Sequence, residues 1–93
     1  MEFDALPGGG LVKAGLEDLR RGACETVPAL LVAIGAPRLS RIGIELPPTL
    51  AIADPEHRLY AKLAGSEPDS AHSRYNALIR RLVAFERAAE CAR

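Results

Sequence analysis

The chain has few of the residues that build recognition sites for bases, sugars or extracellular partners. Its 93 residues include no tryptophan, two tyrosines, two phenylalanines and two cysteines. So few aromatic side chains provide little surface for stacking nucleobases or sugar rings. Cys24 and Cys91 lie far apart in the sequence, and no signal peptide precedes them. This pattern does not suggest a secreted disulfide scaffold, and it predicts a cytoplasmic location.

The sequence also lacks an excess of either charge and has no long apolar run. Lys plus Arg number 12, as do Asp plus Glu, so the formal net charge is zero. No overall field therefore draws the protein to nucleic acid or to an anionic membrane. No apolar stretch approaches the roughly 20 residues that a membrane-spanning helix needs. We expect no membrane contact, and nucleic-acid binding is not favoured.

No arrangement of residues typical of catalysis or metal binding is present. The sequence shows no Ser/His/Asp pattern and no carboxylate pair with a distinctive spacing. His57, His72, Cys24 and Cys91 are scattered singles, whereas zinc sites usually draw their ligands in close pairs. The sequence therefore predicts no catalytic, cofactor-binding or metal-binding residues, and we do not expect an enzyme.

Hydrophobic periodicity predicts an all-α fold. We expect a compact bundle of four or five short helices with a long, amphipathic C-terminal helix. The glycines at positions 8–10 start a helix poorly, so residues 1–10 are predicted to be a flexible lead and residues 11–93 a single helical domain. In chain order, the predicted helices cover residues 11–21, 27–34, 37–42, 55–64 and 71–93.

The predicted ends of the inner helices rest on residues with known positional preferences. Thr26 can cap the second helix, and Pro28 lies early enough in that helix to be tolerated. The segment is hydrophobic on nearly every side, which predicts burial. We expect it to end at Gly35, with a short helix starting at Pro37. For the fourth predicted helix, Asp54 is expected to supply a carboxylate cap before Pro55.

The last helix carries the strongest pattern in the chain, because two of its sides differ in composition. One side gathers apolar residues at helical spacing; these are Tyr75, Leu78, Ile79, Leu82, Val83, Phe85 and Ala89. The opposite side is a line of small residues, Ala77, Ala84, Ala88 and Cys91, flanked by Arg74, Arg80, Arg81 and Arg87. Such a helix can make contacts on both sides, either within the fold or with a second copy.

These two sides predict a protein-interaction or regulatory module that acts through helix-mediated self-association. A domain of this size has a thin core, and two copies can bury apolar surface that a single copy leaves exposed. We expect a homodimer, or a complex with another protein. The predicted interaction residues are Tyr75, Leu78, Leu82, Phe85, Glu86, Ala77, Ala84 and Ala88.

Glu86 is an unusual residue for its position in the last helix, since it falls in the middle of the apolar side. A carboxylate there must be paired, protonated or close to solvent. We expect an ion pair with Arg38 or Arg41 from another helix. Alternatively, Glu86 could be an acid in a pocket or a contact that sets the register of a dimer.

A small DNA-binding regulator is the alternative function. A helix-turn-helix can be drawn with Gly35 as the turn and residues 37–42 as the recognition helix, in which Arg38 and Arg41 would contact nucleic acid. However, this helix is short, and Arg41 occupies a position where an apolar residue would normally hold the two helices together.

Overall fold

The computed structural model describes residues 5–47 and 52–91. This part of the chain contains four α-helices and a single turn of 3₁₀ helix, and no β-strand. In chain order these are α1 (Gly9–Arg20), α2 (Val27–Arg41), α3 (Pro55–Ser66), the 3₁₀ turn (Pro68–Ser70) and α4 (Ala71–Cys91). The predicted all-α fold with a long C-terminal helix is confirmed.

Helix α2 is the centre of the bundle and packs against each of the other three α-helices. Four consecutive residues near its start, Ala29, Leu30, Leu31 and Val32, are completely buried. Because four consecutive residues point in every direction around a helix, this segment must have neighbours on all sides. The burial predicted from its continuous hydrophobic sequence is therefore confirmed.

The break predicted at Gly35 is wrong, because α2 continues through Gly35 and Pro37 to Arg41. Pro37 lacks the N–H that would bond to the carbonyl four residues earlier, which weakens the helix locally. Burial of Gly35 and Leu39 in the bundle offsets that loss. A helix-turn-helix with its turn at Gly35 is consequently excluded.

Gly15 lets α1 lie directly against the beginning of α2. A Cβ atom added at Gly15 would collide with the carbonyl oxygen of Pro28 and would lie 2.5 Å from Cγ2 of Val32. Gly15 is buried, so the two helix backbones approach more closely here than any side chain would allow. The packing of α2 compensates for the low helix propensity of this glycine.

Helix α1 begins at Gly9, two residues earlier than expected. Gly8 precedes it with a φ of 73°, in the left-handed region that glycine adopts without strain. A Cβ atom at Gly8 would strike the carbonyl oxygen of Arg81 in α4. The glycines assigned to a flexible lead thus include a helix start packed against α4, while residues 1–4 of that lead lie outside the described residues.

The connection between α1 and α2 is fixed by a short chain of hydrogen bonds. The Thr26 hydroxyl accepts from the backbone N–H of Ala29 at 3.2 Å, which confirms the predicted cap. The same hydroxyl donates to Oδ2 of Asp18 at 2.7 Å. This bond, together with the nearby Arg21, lowers the pKa of Asp18. Asp18, near the end of α1, therefore helps to hold the Thr26 side chain that caps α2.

The prolines at positions 47 and 48 predict an irregular connector over residues 44–53, and residues 44–47 follow such a course after α2, with Ile44 buried. Of the three side chains that the sequence pattern places against the core, Leu46 and Ile52 are half-buried there, and Leu50 lies outside the described residues. Asp54 precedes α3 as predicted, but its side chain makes no capping hydrogen bond. Its left-handed backbone, with a φ of 49°, is a conformation that aspartate tolerates better than most residues.

The close approach at Gly15 predicts that Gly15→Ala is destabilising although alanine is the better helix former. The added methyl group must displace the backbone of α2, and overpacking of this kind costs about 1–3 kcal/mol. Urea unfolding followed by circular dichroism measures the change in the free energy of unfolding.

Gly10→Ala is the matched control in the same helix. Nothing lies within 4 Å of a Cβ atom added at Gly10, so this change should stabilise the protein by up to about 1 kcal/mol. If both variants gained stability, the close contact between α1 and α2 would be contradicted.

Candidate interaction surface

The inward side of α4 packs against the other helices and holds the bundle together. Leu82, Phe85, Glu86 and Ala89 are buried, with Phe85 and Ala89 fully so. Leu82 and Glu86 lie against Gly35 of α2, where an added Cβ atom would be 2.9 Å from Cδ1 of Leu82 and 3.0 Å from Oε2 of Glu86. Of the predicted interaction residues, Leu82, Phe85 and Glu86 therefore contact the protein's own core.

The outward side of α4 carries the small residues that the sequence indicated. Ala77 and Cys91 are exposed, and Ala84 and Ala88 are half-buried. Arg74 and Arg81 lie along one edge of this line, and Arg80 and Arg87 along the other. All four arginines are exposed. We call these eight residues the outer strip of α4.

Few acids neutralise the outer strip. Arg74 lies 4.0 Å from a carboxylate oxygen of Glu67, and the two side chains are 44% and 67% exposed. Within residues 5–47 and 52–91, no ion pair involves Arg80, Arg81 or Arg87. The outer strip thus presents positive charge to the solvent.

The N-terminal half of α4 is covered less completely than its C-terminal half. Tyr75 and Leu78, both predicted interaction residues, are half-buried against the edge of the core. The ring of Tyr75 meets that of Tyr60 in α3 edge to face, with 5.8 Å between the ring centroids. Burial, and secondarily the charge of Glu56, raise the pKa of Tyr75.

The spacing of Leu59, Tyr60 and Leu63 predicts that Tyr60 lies on the apolar side of α3, but 40% of its surface is exposed. It is the one large hydrophobic side chain found exposed among the described residues. Glu56 lies four residues before Tyr60 on the same side of α3, and Glu67 follows the last residue of that helix. We call Glu56, Tyr60 and Glu67 the acidic row. The four-residue spacing in the sequence could have placed Glu56 and Tyr60 on one side of α3.

Glu86 is the sole charged residue buried in the described part of the chain, and 5% of its surface is exposed. Burial raises the pKa of its carboxyl group, while the positive charges of Arg38 and Arg41 oppose that rise and Glu90 adds to it. Arg38 donates its hydrogen bond to Glu90 instead, at 2.9 Å. The predicted arginines therefore act on Glu86 through space, and the direct ion pair of Arg38 is made with Glu90.

Among the described residues, no three His, Cys, Asp or Glu side chains are grouped so that they could hold a metal ion. An open cavity of about 240 Å³ near the end of α1 is lined by Arg20, Glu45, Leu46 and Pro47. In the described part of its lining, Arg20 and Glu45 supply the charged side chains.

Comparison with known proteins finds no matching family model, no matching curated protein and no matching solved structure. The described helices include none whose length and apolar character would let it cross a bilayer.

The buried carboxylate predicts an unusual dependence of stability on pH. The folded state holds the Glu86 proton more tightly than the unfolded chain does. The contribution of this group to the free energy of unfolding is therefore fully present below the ordinary pKa of glutamate, and it is lost as the pH rises through the raised pKa of the folded state. Glu86→Gln should therefore match the wild type in acid and become the more stable protein towards neutral pH. The gap amounts to about 1.4 kcal/mol for each unit by which the two pKa values differ.

Urea unfolding at a series of pH values between 4 and 8 tests this, with Glu17→Gln as the control. Glu17 is exposed on α1, so its amide variant should keep the wild-type pH profile. A stability difference between wild type and Glu86→Gln that does not change with pH would show that the carboxylate is not destabilised by burial.

Proposed function

We propose that this protein is a protein-interaction module that self-associates through the outer strip of α4. The observation that carries the proposal is the division of this helix into two sides. Leu82, Phe85 and Ala89 are buried in the protein's own core, while the side that carries Ala77 and the arginines is not. A helix of 21 residues thus has one side left for a partner.

The composition of the outer strip supports a contact with protein. Alanines at positions 77, 84 and 88 recur at helical spacing, and small side chains let a second element approach the helix backbone closely. Arginine is enriched at protein interfaces, where its planar group pairs with carboxylates and packs on aromatic rings. The strip therefore combines room for a neighbour with groups that can bind it.

The balance of charge in the chain supports a second copy as the partner. The formal net charge is zero, so two copies experience little overall repulsion. The domain is also small, and chains of this size bury a limited fraction of their surface when they fold alone. Association of two copies through the outer strip would add to the surface that each copy buries.

Ala84→Glu should weaken self-association about tenfold or more, because it places a carboxylate in the middle of the contact. The same carboxylate can pair with Arg80, Arg81 or Arg87 on its own helix, so α4 should remain folded. Sedimentation equilibrium over a range of concentrations should show the wild-type mass rising above 9.9 kDa and the variant remaining near it.

Ala61→Glu is the matched control, since Ala61 is an exposed alanine of α3 and lies away from the acidic row. It should associate as the wild type does. A wild-type protein that stays at the mass of one chain at every concentration would refute self-association. Equal weakening by the two substitutions would refute the assignment to the outer strip.

A further inference from the structure

The zero net charge of the chain conceals an uneven distribution of charges between its helices. The outer strip carries four exposed arginines, and the exposed acid of α4 that lies nearest to it, Glu90, is paired with Arg38. The acidic row, on α3 and at its C-terminal end, combines the exposed carboxylates of Glu56 and Glu67 with the exposed ring of Tyr60. One copy of the protein therefore displays both a basic surface and an acidic surface.

This distribution argues against a symmetric contact in which two outer strips face each other. Such a dimer would bring eight arginines together, and like charges facing each other across a contact are destabilising. The acids that could neutralise them are absent from the strip, since Glu86 is buried and Glu90 is already paired. The strip is better matched to a surface of opposite charge.

We propose that self-association is head-to-tail, with the outer strip of one copy bound to the acidic row of the next. This inference rests on the proposed function and specifies which surface of the second copy is the partner. The proposed contact is heterologous, because the strip of each copy binds one neighbour and its acidic row binds another. Each copy then keeps one unused surface of each kind, so copies assemble into open chains or, where the rotation closes, rings.

The shapes and spacings of the two surfaces support this pairing. Tyr60 leaves 40% of its surface exposed, and the small side chains of the strip leave room for a ring to approach the backbone of α4. The arginines that flank these alanines can pack on the face of the ring, because the negative face of an aromatic ring attracts a cation. Arg80 and Arg87 are seven residues apart, about 10.5 Å along α4, and Glu67 also follows Tyr60 by seven residues, one position beyond the end of α3.

The molecule already contains one contact of the proposed kind. Glu67 of the acidic row lies 4.0 Å from Arg74 of the strip within the same chain. Because the side chains of Arg74 and Glu67 are 44% and 67% exposed, this pair contributes little to folding. It can therefore exchange for a pair between copies at little cost to the bundle, while Arg80, Arg81 and Arg87 have no such pair to give up within the described residues.

The sign of the salt dependence tests the inference on the unmodified protein. Salt screens exposed charges, with a Debye length of about 10 Å at 0.1 M and about 3 Å at 1 M. Sedimentation equilibrium at 0.02 M and 0.5 M NaCl should show at least tenfold weaker association at the higher salt if strip and row attract each other. Association that strengthens with salt would overturn the inference and indicate strips facing each other.

Charge reversal of each surface gives a second, independent test. The basic-surface variant is Arg80→Glu with Arg87→Glu, and the acidic-surface variant is Glu56→Arg with Glu67→Arg. Each alone should associate at least tenfold more weakly than the wild type. Mixed in equal amounts, they should associate again, because every contact between unlike variants then joins opposite charges. Circular dichroism of each variant establishes that it is folded.

The possible outcomes separate this inference from the proposed function. A wild-type protein that is monomeric at low salt overturns both. A wild type that associates, together with an acidic-surface variant that associates equally well, overturns the head-to-tail contact and leaves self-association standing. A monomeric wild type that retards duplex DNA at low salt, through a band shift lost in the basic-surface variant, would overturn both in favour of nucleic-acid binding.

Discussion

The fold depends on the close approach of α1 and α4 to the central helix α2. Gly15 of α1 lies against the backbone at Pro28, and Gly35 of α2 receives Leu82 and Glu86 of α4. Close packing brings many weak dispersion contacts together while it removes apolar surface from water. Close approach of the helices stabilises a thin core of this size, since such a core has few side chains that could fill the gaps between more distant helices.

This packing fixes which side of α4 is available for other roles. Contact with Gly35 turns Leu82 and Glu86 inward, and contact of Gly8 with the carbonyl oxygen of Arg81 holds the helix from another direction. The alanines and arginines consequently point away from the core. The same geometry leaves Glu86 in a place where a charge is poorly solvated, and the fold tolerates it because Arg38 and Arg41 lie near enough to act through space.

Local patterns in the sequence were sufficient to predict the features that depend on residues close together in the chain. The Thr26 cap and the apolar side of α4 follow from side chains a few residues apart. The continuation of α2 through Gly35 and Pro37 could not be predicted in this way, because burial against other helices outweighs the low helix propensity of both residues. Distant contacts were missed for the same reason: no local pattern reveals that Arg38 pairs with Glu90 or that the Tyr60 ring remains exposed.

The proposed division of α4 into an inner side that holds the bundle and an outer side that would bind a second copy is tested most directly by nuclear magnetic resonance at increasing protein concentration. Backbone amide shifts should change with concentration around Ala77, Ala84 and Ala88, and around the acidic row. Those of Leu30 and Leu31, which are fully buried in α2, should stay constant. Spectra that do not change with concentration, or changes centred on the core, would contradict that division.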